Sequence, residues 1–501
     1  MKNIVKYTLA AAASVMMFAS CDLNLVPISA IAYEEGGVLI QTQANLNAFE
    51  NGILASFRSV QGGTYVTTPE AQSDYYNATI DYGNNYGTIH RCDNTFTSSD
   101  YDPQDTWAGH YSVIKNYNIV IENTDNVPEE LEDKAKVVKG EALFFRAASY
   151  LTLARCFGPA YSSSTTGSPC VPLVLKYDQN EKPARATVGD VYAQIKADLD
   201  AAAGILAGVE GKVRSEKPTI DAVNALYARY YLDIQDYSNA AVYAHKVIEG
   251  GKYKLASTAA EMTAEYVKDE GTEAIYQTYA SLTEDSNSNE YWTNSVSDAN
   301  GATGHVFRPY FLPTKTLVEA YEPADLRFAT WFSNEETVQI AGTYYTGDFY
   351  TFIKFWGNPT LTSSPIRNGR QKPKPFKIGE MYLIAAEAEL SSNPAAAKAD
   401  LNALQAARGA TLTEANETTV RQEWYKETVG EGFRMWCLKR WGIGFSGRPI
   451  QDNCKNIVMS GEYYENKQFA ANDYHFLWPI PADDMKINTN LVQNPGYGSG
   501  E

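Results

Sequence analysis

The feature that most constrains the fold of this chain is a pair of helical segments between residues 219 and 251. Thr219 and Asp236 each stand directly before one segment, and Gly250–Gly251 follows the second. Threonine and aspartate are favoured helix N-caps, and glycine commonly ends a helix. Small residues recur where the two helices would cross: Ala222, Ala225, Ala228, Ala240, Ala241 and Ala244. The spacing predicts two helices of about 14 residues that pack closely, as in a tetratricopeptide repeat.

Two other stretches carry the same signal. Residues 134–158 contain no proline and end at Gly158-Pro159, and residues 376–408 divide into two helical runs at Pro394. Helix pairs of this kind bury their apolar faces only against neighbouring pairs. The sequence therefore predicts a mainly α fold with a tetratricopeptide-like helix-pair (α-solenoid) scaffold, which includes about 110–255 and 376–442.

The rest of the chain is predicted to form long irregular loops with a few short β-hairpins. Residues 343–356 alternate β-branched and aromatic residues around Gly347–Asp348, which predicts one hairpin that turns there. Long loops on a rigid scaffold usually carry binding function. We therefore expect ligand contacts from loops at about 60–110 and 280–360.

The N-terminus has the pattern of a lipoprotein signal. Lys2 and Lys6 precede an apolar run, and Ala19-Ser20 place two small residues before Cys21. The apolar run is shorter than the ~20 residues that span a bilayer. We expect a signal peptide at 1–20, a mature chain at 21–501 forming one domain, and acyl chains such as palmitate on Cys21. An ordinary secretory signal with an incidental cysteine is the alternative.

Net charge and the positions of the cysteines argue against two further classes of protein, nucleic-acid-binding proteins and disulfide-rich scaffolds. The chain has 42 basic and 60 acidic residues, a net charge of −18. Such an acidic surface argues against nucleic acid as a partner. The other cysteines are scattered rather than arranged as a disulfide framework. Pairing of Cys156 with Cys170, or of Cys437 with Cys454, is left open.

No catalytic or metal-binding motif is present. The five histidines lack metal-ligand spacing, and the sequence contains no HExxH, CxxC, GxSxG or P-loop. Glu427 and Glu431 are spaced one helical turn apart, but Arg434 is predicted to pair with Glu431, so we interpret this run as structural. The stretch that begins at Asp81 lacks the spacing of a calcium-binding EF-hand loop. No catalytic residue, cofactor or metal is predicted.

Tyrosine is over-represented, with 35 among 501 residues. It is concentrated between residues 65 and 107 among Asp, Asn, Gln and Thr, where few aliphatic side chains would form a core. Aromatic rings can stack on the apolar faces of sugars, and tyrosine hydroxyls can reach sugar hydroxyls. The candidate ligand-binding residues are Tyr65, Asp74, Tyr75, Tyr76, Tyr82, Trp107, Trp292 and Tyr310.

Four stretches together resemble one family. Residues 140–158, 221–254, 427–442 and 478–497 are similar, in this order, to conserved motifs of the SusD/RagB family of outer-membrane nutrient-binding lipoproteins of Bacteroidetes. Departures are small: Val429-Gly430 replaces two apolar residues of the family pattern, and Cys437 stands where aspartate is usual.

The resemblance implies a non-enzymatic receptor anchored by lipid in the outer membrane at the cell surface. Its partner would be a SusC-type TonB-dependent transporter, to which it would deliver oligosaccharides or polysaccharide fragments. The resemblance also implies four tetratricopeptide-like helix pairs with an irregular ligand-binding face. An oligopeptide receptor of the RagB type is the alternative, since 72–74 and 430–432 look like that branch. A surface glycosidase would need two carboxylates about 5–10 Å apart, which a sequence does not show.

Overall fold

The computed structural model of this protein describes seven parts of the chain. They are residues 39–81, 87–178, 180–284, 295–296, 306–363, 369–459 and 464–498. The signal peptide, Cys21, Tyr82 and Trp292 lie outside these residues, so the predictions made for them remain predictions.

Helices form the body of the molecule. In chain order they are α1 Gln43–Ser59, α2 Thr64–Gln72, α3 Gly87–Arg91, α4 Tyr101–Asn123, α5 Glu132–Phe157, α6 Val188–Leu206, α7 Ile220–Asp233, α8 Tyr237–Ile248, α9 Ala259–Tyr266, α10 Lys315–Glu319, α11 Leu326–Trp331, α12 Ile378–Ala388, α13 Pro394–Ala407, α14 Glu417–Glu427, α15 Arg434–Trp441 and α16 Ala482–Ile487. Short 3₁₀ turns occur at Glu129–Leu131, Pro359–Leu361, Asp452–Cys454 and Tyr474–Phe476.

The strands are short. They are β1 Tyr76–Ala78, β2 Ala274–Tyr276, β3 Ser295–Val296, β4 Val306–Phe307, β5 Phe311–Pro313, β6 Phe332–Ser333, β7 Thr337–Ile340, β8 Thr343–Thr346, β9 Thr351–Phe352, β10 Phe376–Lys377, β11 Phe445–Ser446 and β12 Gln468–Phe469. Among the described residues, β1–β5, β2–β10, β6–β9 and β11–β12 form two-stranded antiparallel sheets. A four-stranded sheet has the order β3-β4-β7-β8, with β4 and β7 parallel.

The helix pair predicted from the sequence is confirmed. The Thr219 hydroxyl accepts a hydrogen bond from the Ala222 backbone N–H at 3.3 Å. The Asp236 carboxylate accepts one from the Asn239 N–H at 3.1 Å. These caps satisfy N–H groups that the first turn of a helix leaves unpaired, and so fix where α7 and α8 begin.

The helices stack in one continuous series. Neighbouring members α4, α5, α6, α7 and α8 pack against one another along the chain, and α12 then packs on α8 and carries α13 on its other side. The α12–α13 pair thus extends the scaffold although a long loop region separates it from α8. The prediction of a mainly α, tetratricopeptide-like fold is confirmed.

Aromatic residues fill the core where α5 passes under the loops. Phe57 stacks on Phe145 with ring centroids 4.4 Å apart, and Phe144 packs against Phe376 of β10 at 5.7 Å. Tyr276 of β2 lies 5.6 Å from Phe57. Helix α5 is therefore buried on most sides, as its sequence predicted.

The predicted hairpin at 343–356 is wrong in its pairing. Strand β8 pairs with β7, which precedes it, through a two-residue turn at Ala341–Gly342 with φ values of 49° and 79°. Two positive φ angles match the twist of antiparallel strands, which favours this tight turn. The chain does turn at Gly347–Asp348, but this turn connects β8 to β9, and β9 pairs with β6 rather than with β8.

Two buried arginines join the helices to the loop region. Arg408, just after α13, contacts Glu273 and Glu427 at 2.6 Å each. Arg327 of α11 contacts Asp325 at 2.8 Å and Glu427 at 2.9 Å. Both guanidinium groups are fully buried. Glu427 is therefore shared between two cations in the buried interior.

Every cysteine in the described part of the chain (Cys92, Cys156, Cys170, Cys437 and Cys454) is a buried free thiol, so neither of the two pairings considered is present. None of the helices in the described residues combines the length and apolarity that crossing a membrane requires.

The close packing of α7 gives a first test. Ala228 is fully buried in this helix, so Ala228→Leu is expected to overpack the contact and lower the free energy of unfolding by about 1–3 kcal/mol. Val242→Leu on the exposed side of α8 is the matched control, for which a change within about 0.5 kcal/mol is expected. Chemical denaturation measures both. Equal stability of the two variants would contradict the packing of the helix pair.

Candidate functional site

A cleft opens between the loop that joins α1 to α2, the extended segment 371–377, and residues 430–436 at the start of α15. Side chains from α5, α7 and α9 form its inner wall. The cleft encloses a cavity of about 120 Å³ and is otherwise open to solvent. Segments that are distant in sequence thus meet at one concave surface.

Aromatic rings line this cleft at two depths. Tyr65, Phe433 and Trp436 are half-buried and present part of their rings to solvent. Tyr266 and Phe355 are buried behind them. The rings of Phe433 and Trp436 meet edge to face at 5.8 Å, which holds both in fixed orientations. A guanidinium already lies over the ring of Trp436, so the parts of these three rings that remain exposed are what a flat apolar ring could stack on.

A carboxylate held by two lysines forms the cleft floor. The Lys354 ammonium donates to Glu431 Oε1 at 2.7 Å, and Lys377 donates to the same oxygen. Burial alone would raise the pKa of Glu431, but the two lysines outweigh it and hold that pKa below its usual value. Burial lowers the pKa of Lys354 to about 8. Glu431 is thus ionised and engaged by the protein itself.

The cations at the cleft rim also have acidic partners. Arg229 forms a two-pronged ion pair with Glu380, with contacts of 2.7 and 2.6 Å. Its guanidinium lies between the rings of Phe376 and Phe433, at 4.3 and 5.1 Å from their centroids. Lys374 contacts Asp269 at 2.6 Å. Because these cations are already paired with carboxylates, the cleft offers their N–H groups as hydrogen-bond donors but carries little unbalanced positive charge.

Two glycines shape the segment that carries Glu431. Gly430 and Gly432 have φ values of 77° and 83°, a region that favours glycine. Their N–H groups donate to the two oxygens of the buried Glu70 at 3.0 and 2.7 Å. A Cβ on Gly430 would lie 2.6 Å from the ring of Phe355. The glycines therefore let this turn approach the cleft aromatics closely.

The structure separates the residues predicted to bind ligand. Tyr65 lines the cleft, where its ring also meets His110 edge to face at 5.6 Å. Asp74 is held by Arg434 in a two-pronged ion pair with both contacts at 2.8 Å, and is mostly buried. Of the predicted residues that lie in the described part of the chain, Tyr65 is the one on the cleft wall.

Three of the predicted platforms are core residues. Tyr75 and Tyr76 are 0% exposed and Trp107 is 3% exposed. Trp107 packs against Tyr111 at 4.9 Å and Phe157 at 5.0 Å. The prediction that these rings stack on a ligand is wrong in this structure, since they have almost no surface facing solvent.

Tyr310, the remaining predicted residue in the described part of the chain, does not line the cleft and marks a second candidate surface beside β5. Tyr310 is half-buried next to β5, and its backbone carbonyl accepts a hydrogen bond from the Thr79 N–H at 2.8 Å. Nearby, Arg308 makes a two-pronged contact with Asp81 at 2.7 and 3.1 Å. Because Tyr82 and Trp292 lie outside the described residues, a role for this surface stays a prediction.

The predicted ion pair between Arg434 and Glu431 does not form. Helix α14 ends at Glu427, so Glu431 and Arg434 are not on one helix, and Arg434 reaches Asp74 instead. The sequence pattern predicts a structural role for this run, so Phe433 and Trp436 are cleft residues that the prediction did not include. The two aromatic residues on either side of Arg434 could have indicated a ligand site, but no sequence feature showed which side of this segment would face solvent.

Two family profiles match consecutive parts of the chain. Residues 30–232 match a SusD-like family described as "Starch-binding associating with outer membrane", and residues 260–497 match the SusD family. Together they cover both the helical scaffold and the loops that form the cleft.

Individual relatives agree with these profiles. A SusD-like protein of Formosa agariphila is 23% identical over 448 residues, which is 79% of this chain and 79% of the relative. The starch-binding protein SusD of Bacteroides thetaiotaomicron is 31% identical over 126 residues, 24% of this chain and 21% of that protein.

Solved structures show the same fold. A SusD superfamily protein from Bacteroides thetaiotaomicron superposes with a TM-score of 0.75 at 22% identity, covering 91% of this chain and 100% of the other. A laminarin-binding SusD-like protein gives a TM-score of 0.71 at 21% identity, with 91% and 100% coverage.

Proposed function

The chain belongs to the SusD/RagB family, and we propose that it is a surface receptor that binds oligosaccharides or polysaccharide fragments in the cleft and delivers them to a SusC-type TonB-dependent transporter. The family binds carbohydrate without catalysis, so this chain is not an enzyme. The family is associated with the outer membrane.

The observation that carries this proposal is the set of half-exposed rings of Tyr65, Phe433 and Trp436 in a cleft whose charges are already paired. The carbon-bound hydrogens of a sugar face pack on an aromatic ring, while polar side chains at the rim, such as Gln61, reach the sugar hydroxyls. The relatives described as starch-binding and laminarin-binding support a glycan of this kind.

Charge pairing in the cleft favours an uncharged glycan. Arg229, Lys374 and Lys377 each contact a protein carboxylate, so a ligand that used them as ion-pair partners would first have to displace that carboxylate. The acidic body of the chain would also repel polyanions at a distance. We therefore propose neutral oligosaccharides as the ligand class.

Calorimetry of the lipid-free protein tests the proposal. A panel of neutral oligosaccharides, including starch and laminarin fragments, is titrated beside a mixture of oligopeptides. We expect a neutral glycan to bind, with an affinity that changes less than about twofold between 0.05 and 0.5 M salt, since no ion pair is formed. Binding of peptides alone would contradict the glycan ligand and favour the RagB-type alternative. Turnover of any bound ligand would contradict the receptor function itself.

We also propose that acyl chains on Cys21 hold the receptor in the outer membrane, as the signal pattern before that residue predicts. In cells fed a labelled fatty acid, Cys21→Ala is expected to abolish labelling and release the protein from the membrane fraction. Cys21→Ala with labelling and membrane retention equal to the parent would contradict the anchor.

A further inference from the structure

Three potential metal ligands that are distant in sequence meet where the two helix pairs stack. His245 lies on α8, Glu389 directly follows α12, and Asp400 lies on α13. His245 Nε2 is 3.3 Å from Glu389 Oε2 and 3.4 Å from Asp400 Oδ2. One nitrogen and two carboxylate oxygens, all within 4.8 Å of one another, thus converge on one point.

The distances from His245 Nε2 to the two carboxylate oxygens fit tetrahedral coordination. Zinc binds histidine nitrogen and carboxylate oxygen at about 2.0–2.2 Å, which puts neighbouring ligand atoms of a tetrahedron about 3.3–3.5 Å apart. The two distances from His245 Nε2, 3.3 and 3.4 Å, agree with that separation. Three protein ligands would leave the fourth position for a water molecule.

Carboxylates crowd this point of the helix stack. Asp400 is 8% exposed, and its Oδ2 atom lies 3.4 Å from His245 Nε2 without forming a well-aligned hydrogen bond. Glu389, which also hydrogen-bonds to Asp400, and Glu249 both lie close enough to repel its charge. Gathering carboxylates in a buried place is costly unless a positive charge balances them. A divalent cation bound between the three ligands would supply that balance.

The site is also accessible from solvent. The His245 side chain is 25% exposed and that of Glu389 is 14% exposed, so an ion can enter without opening the helix stack. The kinds of ligand atom in the site indicate which cation it would prefer. Calcium and magnesium prefer oxygen-only shells, whereas one imidazole with two carboxylates suits zinc.

We propose that His245, Glu389 and Asp400 form a Zn²⁺ site that links α8 to the α12–α13 pair. Bound zinc would connect the two helix pairs that the chain joins only through its long loop region. The site is independent of the glycan cleft, so the two proposals can fail separately.

Titration of the chelator-treated, lipid-free protein with Zn²⁺ tests the site. Calorimetry is expected to show one Zn²⁺ per chain, with a melting temperature that rises with Zn²⁺ concentration and not with Ca²⁺. Co²⁺ as a spectroscopic probe is expected to give a tetrahedral visible spectrum without a thiolate charge-transfer band. Absence of saturable Zn²⁺ binding would overturn the proposal and leave the cluster as a set of proton-mediated contacts.

Variants locate the binding. Loss of a partner outside the first coordination shell weakens metal sites by about 10–100-fold, so removing a ligand in His245→Ala or Asp400→Asn should weaken binding at least about 100-fold. Glu249→Gln removes a nearby charge but no ligand, and is expected to change the affinity less than about threefold. Zn²⁺ affinity equal to the parent in both ligand variants would place the ion elsewhere and overturn the assignment.

Discussion

Arg408→Met is expected to lower the free energy of unfolding by about 3–5 kcal/mol, because it leaves the buried Glu273 without its cation and Glu427 with one of its two. Arg408 is fully buried and contacts Glu273 and Glu427 at 2.6 Å each, and it also donates to the Ala256 carbonyl at 2.8 Å. Methionine fills much of the same volume, so the effect reports the charge rather than a cavity. Equilibrium urea denaturation at pH 7 measures it.

The matched control is Arg421→Met. Arg421 is on the solvent side of α14 and pairs with Glu417 one turn away, a contact of the kind usually worth about 0–1 kcal/mol. Equal losses in the two variants would contradict a special role for the buried cluster.

The pH dependence gives a second readout of the same cluster. Burial alone would raise the pKa of Glu427, but Arg408 and Arg327 outweigh it and hold that pKa well below its usual value. A carboxyl whose folded-state pKa is depressed contributes stability above its unfolded pKa of about 4.5, and this stability is lost as the pH falls below that value. The difference between parent and Arg408→Met is therefore expected to shrink between about pH 5 and pH 3.

Replacing both Tyr65 and Trp436 by alanine is expected to weaken glycan binding at least about 30-fold. Stacking of bases on aromatic side chains is worth about 1–3 kcal/mol per ring, and a comparable loss at each sugar platform gives at least about 2 kcal/mol together. Calorimetry with the oligosaccharide that binds the parent measures the loss. Helical circular dichroism is expected to be unchanged, since both rings lie at the half-buried wall of the cleft.

Tyr101→Ala is the control for an exposed aromatic ring outside the cleft, because Tyr101 is 79% exposed at the start of α4. It is expected to bind like the parent. Tyr310→Ala tests the second surface, where the sequence predicted further contacts. Loss of binding in Tyr310→Ala with none in the double variant would move the site from the cleft to that surface.

The helical scaffold could be predicted because its signals are local. Caps at Thr219 and Asp236, the proline at Pro394, and the glycine at Gly158 each act within one turn of their own helix. The spacing of alanines then fixes which faces meet. Each of these signals lies within the segment that it shapes.

The cleft could not be predicted in the same way, because polar surroundings in sequence did not mean exposure in space. Tyr75 and Tyr76 stand among polar residues, yet several of these neighbours are buried as well and donate hydrogen bonds within the protein. Asn77 donates to the Arg448 carbonyl at 2.9 Å, and Thr79 donates to the Pro309 carbonyl at 3.0 Å. A polar stretch whose hydrogen bonds close within the protein packs like a core.

Partners distant in sequence decided the rest of the site. Helical spacing predicts a pair between Arg434 and its neighbour Glu431, but Arg434 binds Asp74, 360 residues away. Glu431 is then free to bind Lys354 and Lys377 and to form the cleft floor. Ion pairs between residues so far apart in sequence depend on the tertiary fold, and the spacing rules for neighbours on one helix cannot predict them.

The most direct test of the account is a crystal structure of the lipid-free protein with the neutral oligosaccharide that binds best in calorimetry. The account predicts a sugar ring stacked on Trp436 or Tyr65 in the cleft, with the ion pairs of Glu431 to Lys354 and Lys377 intact. An oligosaccharide bound on another surface, with the cleft holding only water, would contradict it.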